Sequence, residues 1–206
     1  MDGIAFHRAL HRPGTIVEVG AALALPLAEL PGSRVLAFEP VPSAFARLKR
    51  SVQERFGLSS HIRLNNAALG ATRGIVRLEV PGGDEGGGEP VVFEVAMITL
   101  DAFALPDVTA IKLEAEGAER DVLLGAAKTL RRCRPIVSVM VDARHRDGAV
   151  RDVAGLLAPL GYEGYFSAFG RWQPVATAAD ASALAFYFVP GERRGELAKL
   201  GALPAA

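Results

Sequence analysis

Apolar runs of four to eight residues alternate along this chain with segments whose apolar positions recur at helical spacing. TIVEVG (15–20) reads as a strand, and AALALPLAEL after it as a short helix in which Pro26 fits only near the first turn. RVLAFEP predicts a second strand. Ser43 is placed to cap the next helix, on which Phe45, Leu48, Val52 and Phe56 share one face and which Gly57 ends. HIRLNNA (61–67) predicts a third strand, and GIVRLEV with VVFEVAMIT a hairpin around the glycine-rich PGGDEGGGEP. TAIKLEAEG (109–117) predicts a strand leading into a helix over 118–132, acidic at Glu119 and Asp121 and basic at Lys128, Arg131 and Arg132, as its dipole favours. RPIVSVMVD is a further strand, GAVRDVAGLLAPLG a helix, and YEGYF and ALAFYFVP the last two strands.

This order predicts an α/β fold: a single-domain, doubly wound, Rossmann-like sheet, mostly parallel, with helices on both faces, an antiparallel last strand and an added hairpin. Ligands bind such sheets at the carboxyl ends of the strands, where the strand order reverses. The chain places polar groups there: EVGA (18–21), then Glu39 ending the second strand, NNA (65–67) ending the third, and EAEGAE (114–119) ending the fourth. A carboxylate roughly twenty residues after the first strand's glycine turn is where such folds bind a ribose through its hydroxyls. Taken alone, Glu39 reads equally well as a solvated strand-end charge; its company favours a site.

Composition narrows the picture. The chain has 206 residues, half of them apolar and 22% charged, which suits one soluble domain over 1–206 with its core at 15–190. Its 23 basic and 23 acidic residues cancel, so no overall field favours nucleic acid or an anionic membrane. The sole cysteine, Cys133, can form no intramolecular disulfide, no segment has a signal-peptide core, and residues 16–30 are broken by Glu18, Pro26 and Glu29. These features predict a cytoplasmic protein without a membrane span.

The stretches VEVGA, GSRVLAFEPVPSAFARLKRSV, IRLNNAALG, ITLDAF, IKLEAEGAERDVLLGAAKTLRRCRPIV, LLAPLGY and FYFVP, in that order, resemble the FkbM-type methyltransferases, a family on the class I methyltransferase fold. The resemblance implies S-adenosylmethionine as cofactor and methyl transfer to an oxygen of a small-molecule acceptor, usually a hydroxyl of a sugar, polyketide or related metabolite. It also implies residue roles. Glu18, Gly20 and Ala21 flank the methionine part of the cofactor, Glu39, followed by Pro40, binds the ribose, and Asn66 with Ala67 borders the adenine. Glu114 and Glu116 stand beside the transferred methyl group. Asp142 and His145, just past the next strand, are candidate bases. Methyl transfer needs an acceptor oxygen held near the methyl carbon and a group to take its proton, and carboxylates serve both purposes. Glu119 is set aside, because a carboxylate in a helix's first turn is expected from the dipole alone.

The chain departs from the family where the first turn reads Glu18, Gly20, Ala22 and Ala24, and where Glu114 replaces an aspartate. The short connection from Gly20 to Arg34 implies a clipped first helix. A non-catalytic methyltransferase-like scaffold is therefore the alternative reading. A nicotinamide-dependent dehydrogenase would need Gly-x-Gly-x-x-Gly, of which VGAALA supplies only the first glycine. No metal site is expected: His7 and His11 have the spacing of a ligand pair but no third partner nearby. PGGDEGGGEP lacks the lysine of a phosphate loop and reads as a hairpin tip. KTLRRCR reads as a helix end, Cys133 as structural, and Arg144 and Arg146 as solvated loop charge. Trp172 is either a lid or a loop residue packed on the sheet. The 14 residues before the first strand suggest an acceptor pocket that is open or completed by a partner chain, as in a homo-oligomer.

Overall fold

A computed structural model of the chain describes residues 3–20, 25–57, 59–82, 88–141, 148–168, 171–177 and 185–200. The strands are β1 (Gly14–Val19), β2 (Ser33–Phe38), β3 (Ile62–Asn65), β4 (Ala68–Leu69), β5 (Gly74–Gly82), β6 (Gly88–Ile98), β7 (Val108–Leu113), β8 (Ile136–Met140), β9 (Tyr162–Ala168), β10 (Arg171–Pro174) and β11 (Ala185–Pro190). The α-helices are α1 (Gly3–Ala9), α2 (Pro42–Phe56), α3 (Glu119–Leu124), α4 (Ala127–Cys133) and α5 (Ala149–Leu157). An 8-stranded sheet runs β10-β9-β11-β8-β7-β1-β2-β3, and a 3-stranded sheet runs β4-β6-β5. From β3 to β8 the large sheet is parallel, while β11 is antiparallel to both β8 and β9.

The strand order reverses at β1, whose neighbours are β2 on one side and β7 on the other. Strand alternation divides the core between the two faces. Val17, Val19, Phe38, Ile111, Leu113 and Val139 pack with α3, α4 and α5. Ile16, Val35, Ala37, Ala110 and Ile136 pack on the opposite face with residues of α1, α2 and the 3-10 turns Pro26–Glu29 and Gly191–Leu200. Glu18, Lys112 and Ser138, each two residues from a member of the second set, share that second face.

The structure refines several expectations. The third strand, expected over 61–67, is confined to β3, and the two residues after that span form β4, which joins the small sheet. The helix expected over 118–132 breaks into α3 and α4. At the break a Cβ on Gly125 would lie 2.0 Å from the Gly70 carbonyl oxygen, and Asp101 accepts the amides of Lys128 (2.8 Å) and Thr129 (2.8 Å) at the start of α4. A carboxylate from another segment thus caps α4, whose own preceding residues have no capping side chain. Ser43 lies inside α2; Val41 is the N-cap, and Pro42 opens the helix with no amide to satisfy. Of AALALPLAEL, the described part holds only the 3-10 turn Pro26–Glu29, and 21–24 lie outside the described residues.

Among the elements not read from sequence are α1, β4, the 3-10 turn Gly191–Leu200, and β10, which carries Trp172. Trp172 is buried against Phe6 (5.8 Å between ring centres) and Tyr187 (5.1 Å), so it is a core residue and not a lid. No helix among the described residues is long and apolar enough to cross a membrane.

Candidate active site

The ends of β1, β2, β3 and β7 are tied together by backbone hydrogen bonds that continue past the strands. The Gly20 amide donates to Phe38 O (2.9 Å), that of Glu114 to Val19 O (3.0 Å) and that of Glu39 to Asn65 O (3.1 Å). Gly20 has φ +75°, and a Cβ there would lie 1.9 Å from the Glu114 carbonyl oxygen. Only glycine lets β1 turn away this close to β7. Glu18, Gly20, Glu39, Asn66, Ala67, Glu114 and Glu116 are thereby gathered at adjacent strand ends.

Glu18 is fully buried, and among the described residues neither carboxylate oxygen has a hydrogen-bond partner. Such a group is costly unless a ligand or a proton compensates it. Burial pushes its pKa from an ordinary 4.5 up to about 7, with Lys112 opposing the rise and Glu114 adding to it. The Leu27 amide, which also opposes the rise, stands near without meeting hydrogen-bond geometry.

Glu39 is buried as well, and its Oε1 accepts the Val41 amide at 2.9 Å. Burial raises its pKa, opposed by that hydrogen bond. The turn after it is pinned by Asn66, whose Nδ2 donates to the carbonyls of Glu39 (2.8 Å) and Pro40 (3.0 Å). The side-chain amide nitrogen of Asn66 therefore serves the turn. Ala67 is buried beside it.

Sequence reasoning missed Lys112. In register it stands opposite Glu18 on the neighbouring strand, and its Nζ donates to Glu114 Oε1. Lys112 thus pairs with Glu114 and acts on Glu18 only through its nearby charge. The signal was a lysine inside the apolar run of TAIKLEAEG. The same row of the sheet continues to Ser138, whose Oγ lies 2.7 Å from Nε2 of the buried His7. Burial lowers the His7 pKa to about 3, aided by Lys112 and His11, while Nδ1 has no partner. The His11 ring nitrogen Nε2 meets the Pro31 carbonyl (2.8 Å), so the two histidines face different partners. Among the described residues no three His, Cys, Asp or Glu side chains are grouped to hold a metal.

Glu116 is exposed, at φ +47°. Glu119 organises its loop from within: Oε1 accepts the amides of Ala115 (3.2 Å) and Gly117 (3.0 Å), and Oε2 that of Gly117 (3.1 Å). Half-buried Cys133 lies 3.6 Å from the carbonyls of Leu105 and Pro106. Ala21, Asp142 and His145, the loop around Arg144 and Arg146, and the hairpin tip 83–87 lie outside the described residues.

Residues 18–165 match the family model of the methyltransferase FkbM domain. This chain belongs to the FkbM methyltransferase family. Among solved structures it is similar to the methyltransferase FkbM of Methylobacillus flagellatus KT, at 21% identity and TM-score 0.59, covering 89% of this chain and 46% of that one. The chain thus spans under half the length of that relative. It is also similar to the precorrin-6y C5,15-methyltransferase of Geobacter metallireducens GS-15 (12% identity, TM-score 0.51, 90% and 83% covered). A third is a SAM-dependent methyltransferase of Aquifex aeolicus (11% identity, TM-score 0.50, 90% and 86% covered). At these identities the likeness establishes the fold, a Rossmann-like class I methyltransferase sheet. No curated protein matches the chain in sequence.

Proposed function

We propose that this FkbM-family chain is an S-adenosylmethionine-dependent O-methyltransferase whose acceptor is a hydroxyl of a sugar, polyketide or related small metabolite. The observation that carries the reading is Glu18: a fully buried carboxylate with two unpartnered oxygens, at the point where the strand order reverses. The ammonium of a bound methionine moiety suits such a group. Glu39, buried one strand away, suits a ribose diol, and the Asn66–Ala67 turn beside it is where the adenine would border. The residues present fit the cofactor.

When bound, S-adenosylmethionine supplies an electrophilic methyl group on a sulfonium centre. The protein's part is then to bind the acceptor hydroxyl, orient it and take its proton. Glu114, half-buried at the end of β7 and oriented by Lys112, is the group we assign to the acceptor, with exposed Glu116 beside it. Asp142 and His145 remain candidates for the base, on the sequence alone.

The test is a thermal unfolding scan with and without S-adenosylhomocysteine, on the native chain and on Glu39→Ala. A ligand that binds only the folded state stabilises it by about 2.7 kcal/mol at a hundredfold of its dissociation constant. The native midpoint should rise and that of Glu39→Ala should hardly move, after which a panel of hydroxylated acceptors is screened for turnover. A native midpoint that stays put, with no heat of binding by calorimetry, would replace this reading with the non-catalytic scaffold.

A further inference from the structure

The small sheet ends in an open edge. In its order β4-β6-β5, the nine-residue β5 has, among the described residues, a strand partner on one side only. Such an edge is a template for another strand unless the sequence defends it. Proteins defend edges with prolines, bulges and charges that repel a second copy. Pro81 and the register shift between Val80 and Gly82 close the far end of β5, and the stretch before them carries two charges, Arg77 and Glu79, of opposite sign and two residues apart. Opposite signs at that spacing do the reverse of defending against a copy of the same strand. When β5 meets a second β5 antiparallel about a two-fold axis through Leu78, Arg77 of each chain falls opposite Glu79 of the other.

The register of β5 on β6 shows what the rest of that arrangement would join. Val76 lies opposite Val95, Leu78 opposite Phe93 and Val80 opposite Val91 on one face, while Arg77 lies opposite Glu94 and Glu79 opposite Val92 on the other. Pairing about Leu78 would extend the first face into a four-strand apolar row, Phe93–Leu78–Leu78–Phe93, flanked by rows of valines. The second face would become an alternating charge row in which Arg77 lies between Glu94 of its own chain and Glu79 of the other. On the edge strand itself Ile75 is 73% exposed, one of the five exposed large hydrophobic residues among the described residues. Arg77 and Glu94 are exposed too and only 3.9 Å apart at their closest, so Arg77 keeps room for a second partner.

We infer that β5 is a homodimer interface, in which two copies of this chain pair antiparallel through their β5 edges about Leu78. The occupant is a second copy because the charge pattern is complementary to itself, and the register about Leu78 is the one that sets Arg77 against Glu79 while keeping the apolar row unbroken.

The experiment is sedimentation velocity on the full chain over a range of concentrations, with circular dichroism to verify folding. The native chain should sediment at twice the chain mass. Glu79→Arg sets two arginines against each other across the axis and leaves the intrachain neighbour Val92 uncharged, so it should run as a folded single chain. Adding Arg77→Glu to it swaps the two charges and should restore the dimer. Independently, Leu78→Cys in a Cys133→Ser background should give a disulfide-linked dimer on mild oxidation. A native chain of single mass at every concentration would overturn the proposal and leave the edge to a strand of another protein. A dimer indifferent to Glu79→Arg, or one that Leu78→Cys does not cross-link, would overturn it equally by placing the contact elsewhere.

Discussion

Glu18 and Lys112 stand opposite each other on adjacent parallel strands, yet the hydrogen bond of the lysine goes to Glu114. The ammonium group closes on the carboxylate at the strand end, and among the described residues the fully buried one is left without a hydrogen-bond partner. A folded protein that tolerates this is holding a polar group ready at a cost in stability, as binding sites do.

Glu18→Gln is expected to separate stability from binding. The carboxyl has its folded pKa raised from 4.5 to about 7, so its contribution is fully present below 4.5 and is lost as pH rises through 7. That shift corresponds to about 3 kcal/mol, an upper bound on what the substitution can return at pH 8. Without cofactor the variant should melt higher than the native chain at pH 8 and no higher at pH 4. With S-adenosylhomocysteine its midpoint should rise far less than the native one. Thermal scans at both pH values check this.

His7 is expected to set an acid limit of the opposite sign. Its folded pKa is depressed from 6.5 to about 3, so the stability it contributes is complete above 6.5 and is lost as pH falls toward 3. The whole window is worth about 5 kcal/mol. Between pH 7 and 4 this loss runs against the gain at Glu18, so the quantity to read is the difference between variant and native chain. By urea unfolding His7→Gln, although it disturbs the contact with Ser138, should become progressively more stable relative to the native chain as pH falls.

Gly125→Ala should destabilise the fold although alanine is the better helix former. A Cβ at this position would lie 2.0 Å from the Gly70 carbonyl oxygen, a backbone atom that cannot move aside alone. Overpacking of this kind costs about 3 kcal/mol, several times the gain in helix propensity. Chemical denaturation of the variant against the native chain measures the difference.

Arg134→Ala should cost about 1–3 kcal/mol, since charge-assisted hydrogen bonds and a ring contact are lost together. Arg134 donates to Glu192 from Nε (2.9 Å) and Nη2 (2.7 Å), to the carbonyl of Leu160, and places its guanidinium 4.8 Å from the Tyr162 ring centre. The residue has φ +52°. Alanine shares that backbone strain with arginine, so the substitution isolates the side chain. Equilibrium unfolding at pH 7 reads the effect.

The strand ends were legible because each is a local pattern: an apolar run that finishes on Glu18, Glu39, Asn65 or Glu114 needs only its own few residues to be recognised. The turn around Glu119 was half legible. Its position in a first turn was read correctly, while its two amide partners depend on the loop folding back. Trp172 was undecided between lid and packing because its neighbours, Phe6 and Tyr187, come from opposite ends of the chain. The two-part helix was missed since the charge order over 118–132 is that of one continuous helix, and the break is imposed from outside by Gly70 and Asp101.

The sequence by itself determined the alternation of strand and helix, the doubly wound sheet, the carboxylates at the strand ends and the family, because apolar periodicity and short motifs are properties of neighbouring residues. Tertiary structure alone decided that Lys112 serves Glu114 while Glu18 stays unpartnered, that His7 reaches Ser138 across 131 residues, and that β5 is left as an edge. Those outcomes follow from strand order and register, which the packing of the whole chain fixes at once and no local window contains.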